Sequence, residues 1–184
     1  MAVKSTSASL TTAMRKLWAD HVIWTRQVIV ALVASTRDLD ATLGRLMANQ
    51  EHIGNAIVPF YGEEAGKQLT TLLKEHIRIA GELVSAAKAG KQEDFEEQDK
   101  MLSQNALDIA EFLGSANPYW PAKDVADLLN THLLLTKKEA VARLTEKWDV
   151  DIEAFDDIFT EIMTVSDTLA GGIIKQFPDR FDDA

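Results

Sequence analysis

Cysteine is absent from all 184 residues, which removes disulfides, thiolate metal ligands and a cysteine nucleophile together and leaves the redox compartment open. Prolines number four and glycines nine. That scarcity suits long uninterrupted helices and speaks against a many-turned sheet protein. Long hydrophobic runs are missing as well. The longest near the N-terminus, Val28 to Ala34, has seven residues, where a bilayer span needs about 20. The same run, with Arg26 upstream, resembles the apolar region of a signal peptide only weakly, because it completes a helix. No membrane partner is expected, and the cytoplasm is the default location. Positive charge is in deficit, with 19 Lys and Arg against 29 Asp and Glu, a net charge of −10. A surface of that sign repels phosphate backbones, so nucleic acid is no partner. There is no glycine-rich phosphate loop, no Gly-x-Ser-x-Gly elbow and no His-Glu-x-x-His motif. The chain therefore leans away from an enzyme.

What is present is helical periodicity. Apolar residues make up 46% and charged residues 26%, enough to bury one core and too few residues overall for two comfortable ones. Six amphipathic segments follow one another. The first runs from Leu10 to about Ser35 and the second from Asp38 until Pro59 stops it. A third ends at Gly90 in a left-handed cap. The fourth opens in the acidic stretch Glu93 to Asp99, which suits a helix N-terminus. Asn117-Pro118-Tyr119-Trp120-Pro121 breaks the chain before the fifth. The fifth and sixth meet near Thr145, a candidate cap, although one long bent helix fits the residues too. The expected fold is all-α: an antiparallel up-down bundle of about six helices in three hairpins over residues 10–178. A flexible leader over 1–9 and an acidic tail over 179–184 flank it.

One pattern recurs three times. Leu17-Trp18-Ala19-Asp20-His21, Leu72-Leu73-Lys74-Glu75-His76 and Leu128-Leu129-Asn130-Thr131-His132 each place two bulky apolar residues four and three positions before a histidine. On a helix those positions share the histidine's face, so each imidazole points into the core. The histidines follow one another at intervals of 55 and 56 residues. A period near 56 carries Asn49 to Asn105 and then to Glu161, on the second helix of each hairpin. At ~1.5 Å per residue, His21 and Asn49 lie ~21 and ~17 Å from their shared turn, comparable depths. The expectation is a pseudo-threefold repeat whose polar layer holds His21, His76 and His132 with Asn49, Asn105 and Glu161.

That layer has two readings. As a metal site, His21, His76, His132 and Glu161 are the ligands, zinc, copper, nickel or iron the ion, and Asn49 and Asn105 orient the imidazoles. A small polar ligand fits the same donors. As a structural layer, each histidine bonds the amide or carboxylate across its hairpin and fixes helix register. The spacing differs from di-iron bundles, which use Glu-x-x-His on two helices. A metal-dependent enzyme is the most remote reading, since it also needs an open coordination position and a channel. His52 reads as a surface residue. Glu139 either reaches the layer or snorkels outward. Phe60, Tyr61, Tyr119, Trp120 and Phe177 gather at one end of the bundle as a plug or a rim for a ligand, a partner protein or a second copy.

Leu17-Trp18, His21, Trp24-Thr25-Arg26, Asn49-Gln50, Ile53-Gly54-Asn55-Ala56-Ile57 and Gln176-Phe177-Pro178 together resemble a family of small bacterial all-helical proteins without a settled activity. The resemblance implies one soluble helical unit and no mechanism.

Overall fold

A computed structural model describes residues 6–182. Six helices fill it: α1 (Ser7–Ala34), α2 (Leu39–Tyr61), α3 (Glu63–Ala89), α4 (Gln92–Ala116), α5 (Ala122–Leu144) and α6 (Trp148–Gln176), with a 3-10 turn at Pro178–Arg180. Among the described residues there is no strand, and the all-α bundle read from the periodicity is the fold. Each helix packs on the next, and α6 returns against α1, so the six close a ring. Lys88 at the end of α3 donates to the Leu32 carbonyl near the end of α1, at 2.8 Å, so these two helices run the same way. α1 also touches α3 and α5 across the middle. It is long and apolar enough to suit a bilayer by length and composition, with a third of its most apolar window buried in this fold.

Several boundaries differ from the expectation. Thr6 caps α1 through the Ser9 amide at 3.1 Å, so the helix opens at Ser7, inside the segment read as leader. The rest of that leader, 1–5, lies outside the described residues, as do 183–184. α2 does not stop before Pro59 but carries it in its last turn. Proline removes only one amide there, and the Gly62 N–H still reaches the Val58 carbonyl at 2.9 Å. Gly90 does cap α3 in the left-handed region, at φ 68°. α5 and α6 are separate, with Glu146 at φ 58° and the Lys147 amide bonded to the Ala142 carbonyl at 2.9 Å. Thr145 belongs to the end of α5 and does not cap α6.

The acidic tail begins by folding back. Phe181 is buried and stacks on Phe60 at 6.0 Å between centroids. Phe60 also meets Phe177 at 5.7 Å, and Tyr61 meets Trp120 and Phe177 at 5.6 and 5.4 Å. Four of the five loop aromatics thus plug one end, while Tyr119 stays half exposed. Trp120 is seated because Gly172 has no side chain. A Cβ there would stand 2.0 Å from the indole nitrogen, which donates to the Thr168 carbonyl at 3.3 Å. α2 and α3 approach as closely where Gly54 faces Gly66, since a Cβ on Gly54 would lie 2.5 Å from the Gly66 carbonyl oxygen.

Candidate functional site

His21 on α1, His76 on α3 and His132 on α5 are all buried and line one cavity of about 40 Å³. The leucines that precede each histidine on its own face carry it inward, as helical spacing requires. The His21 and His132 rings lie 5.7 Å apart between centroids. Thr25, Thr136 and the stem of Lys137 complete the polar part of the wall, and the rest is aliphatic. Lys137 turns its ammonium to Asp99, 2.7 Å away.

Behind each imidazole stands one polar side chain from the next helix, always 29 residues on. His76 Nδ1 lies 2.8 Å from Asn105 Oδ1, and His132 Nδ1 lies 3.1 Å from Glu161 Oε2. His21 Nδ1 lies 3.3 Å from Gln50 Nε2. Asn105 and Glu161 therefore meet the histidines they were expected to meet, while Asn49 makes no hydrogen bond to a histidine among the described residues. It donates to the Leu17 carbonyl at 3.0 Å and accepts from Gln50, the residue that meets His21. Gln50 is the histidine partner that a strict period of 56 passes over.

The partners fix the tautomers. Asn105 must turn its NH2 to the Leu72 carbonyl, 3.1 Å away, so its oxygen faces His76 and Nδ1 carries the proton. The Glu161 carboxylate likewise demands an N–H at His132 Nδ1. Both rings keep a lone pair at Nε2. Gln50 is oriented oppositely, because its NH2 donates to the Leu46 carbonyl at 2.8 Å. Nδ1 of His21 then accepts, sharing with Asn49 Oδ1 the amide proton that Leu46 leaves free, and Nε2 carries the ring's own proton. Among the described residues no protein group bonds the Nε2 of any of the three. The layer thus offers two acceptors and one donor.

Burial keeps the His21 and His76 rings neutral. Removal from water holds His76 down to about 4, against the pull of its bond to Asn105. His21 is held well below 6.5 by the same desolvation, with His132 and His76 adding repulsion and Gln50 opposing. Several buried polar atoms close by have no partner among the described residues: Gln50 Oε1, Glu161 Oε1 and Thr136 Oγ1. For metal binding the test is stricter. Among the described residues no three His, Asp or Glu side chains stand close enough to hold one ion together.

A second polar cluster borders the first. Arg26 on α1 is paired with two carboxylates. Nη1 lies 2.5 Å from Glu139 Oε1 and 2.9 Å from Asp151 Oδ1, and Arg143 also reaches Asp151 at 3.0 Å. Glu139 neither snorkels nor enters the histidine cavity; it is 2% exposed and faces the guanidinium. Burial pushes its carboxyl up to about 7, with Arg26 opposing and Asp151 adding to the rise. His52 is exposed, as its spacing suggested. No family model matches this chain, and neither a curated protein nor a solved structure matches it either.

Proposed function

We propose that this is a binding protein whose histidine cavity holds a small polar ligand between the Nε2 atoms of His21, His76 and His132. One observation carries the reading: three imidazoles converge on one cavity, each held at Nδ1 by a dedicated partner and each without a protein partner at Nε2 among the described residues. A core that needed only fixed register would close those nitrogens off. A cavity of about 40 Å³ exceeds the ~10–15 Å³ that one water requires. The constant separation of 29 residues between histidine and partner also supports descent of the three hairpins from one repeated unit.

A transition metal is the second reading. It is favoured by the Glu161 carboxylate on His132 Nδ1, the arrangement that commonly sets a metal-ligating histidine. Zinc, copper, nickel or iron would take Nε2 of His76 and His132 first. His21 would have to exchange tautomer and move in to join them, since among the described residues no three such side chains stand close enough as they are.

Elemental analysis of untagged protein purified without chelator separates the two. Stoichiometric metal that is lost in His76→Ala establishes the metal reading. Metal-free protein whose Nε2 resonances shift in long-range 1H–15N spectra on adding formamide or methanol establishes the polar ligand. Protein that is metal-free and unmoved by these probes or by the four ions sinks both, and leaves a layer that only sets register.

A further inference from the structure

We propose that the outer flank of α6 is a docking strip for a short basic amphipathic helix of another protein. Trp148, Ile152 and Phe159 are 49%, 55% and 37% exposed and share one stripe of α6 at spacings of four and seven residues. Phe155 extends the stripe inward, its ring centroid 6.3 Å from that of Phe159. Across the seam, Arg15 pairs with Asp167 and Arg26 lies over the Phe155 ring, a register that brings exposed Ile23 of α1 beside Phe159. From Trp148 to Phe159 the strip measures ~16 Å, three turns of helix.

Charge decides the occupant. Asp149, Glu153 and Asp156 are exposed along the outer border of the stripe and make no ion pair among the described residues. Arg26 and Arg143, which lie over the Phe155 and Trp148 rings, are already engaged by Glu139 and Asp151, and Lys147 at the head of α6 is one positive charge against three carboxylates. An apolar strip with an uncompensated carboxylate row fits a helix that carries bulky side chains one turn apart and lysine or arginine beside them. A second copy fits poorly, since each chain carries a net charge of −10 and would bring its own carboxylate row.

The probe is a helical peptide of about fourteen residues with leucines at i, i+4, i+7 and i+11 and lysines along one flank, titrated calorimetrically against the full chain. Binding is expected at low salt and is expected to weaken as salt rises. Ile152→Ser with Phe159→Ser should lower affinity by about tenfold or more. Asp149→Asn with Glu153→Gln and Asp156→Asn should weaken binding and flatten its salt dependence. Glu93→Gln with Glu96→Gln and Glu97→Gln, at the start of α4, should change nothing. The proposal is overturned if a scrambled peptide binds equally, or if the α4 variant loses as much as the α6 variant. It is also overturned if the chain sediments as a dimer that Ile152→Ser and Phe159→Ser dissociate.

Discussion

Asn105 joins two helices with one amide, its oxygen accepting a hydrogen bond from His76 and its NH2 donating one to the Leu72 carbonyl. Replacing it with leucine leaves the buried Nδ1–H of His76 without an acceptor, a loss of about 1–3 kcal/mol. Urea denaturation of Asn105→Leu should show it, with Asn55→Leu, at an exposed site, nearly neutral. Titration acts at this scale too, with opposite signs. His76 is lowered from 6.5 to about 4, so the unfolded chain binds its proton first on acidification. The stability it contributes is present above 6.5 and is lost as pH falls towards 4, at most about 3 kcal/mol. Glu139 is raised from 4.5 to about 7, so its share is present at acid pH and is lost as pH rises through 7. Glu139→Gln removes the opposing contribution, and stability should then climb more steeply between pH 5 and 6.5 than in the parent. Equal slopes in urea midpoints across that range would refute the assignment. Residue identity at the layer was legible for His21, His76, His132, Asn105 and Glu161. Gln50 was hidden because the first interval is 55 and not 56: counting 29 residues on from each histidine finds it, while counting 56 back from Asn105 finds Asn49. Arg26 and Glu139 lie 113 residues apart, and no local spacing announces such a pair.

Helix identity followed from periodicity because all six helices bury one face. Helix ends followed less well, since ends are decided by one or two hydrogen bonds. Pro59 costs α2 a single amide, and the aromatic plug holds Phe60 and Tyr61 in helical register beyond it. Close approach between helices was less legible still, because a glycine at a contact and a glycine facing water look alike in sequence. Gly44 and Gly54 of α2 make the comparison. A Cβ on Gly44 meets nothing within 4 Å, whereas one on Gly54 meets the Gly66 backbone oxygen at 2.5 Å. Gly44→Ala should stabilise by about 0.5–1 kcal/mol through helix propensity. Gly54→Ala should cost about 1–3 kcal/mol by forcing α2 from α3. Thermal melts of the two variants should move in opposite directions.

The whole molecule is a ring, and rings need a closing contact. That contact is the meeting of α1 with α6, where Arg26 engages Glu139 of α5 and Asp151 of α6 together. Arg26→Met leaves Glu139 buried with no cation, while Asp151 keeps Arg143. A loss of about 3–5 kcal/mol is expected, read by urea denaturation at pH 8, where the parent keeps Glu139 ionised against Arg26 and the variant must bury the charge unpaired or take up a proton. Double replacement of Arg26 and Glu139 by methionine should recover much of it, since removing both partners spares the orphaned charge. The ring also fixes what stands next to what at its centre. Trp18 lies one turn before His21, its indole edge-on to the imidazole with centroids 5.6 Å apart at 66°. A protonated imidazole so near an indole drains its excited state, and so does one bound to an open-shell ion such as copper. The protein thus contains its own optical gauge: with the other three tryptophans replaced, the brightness of Trp18 would follow, in real time and without any label, what happens to the ring beside it.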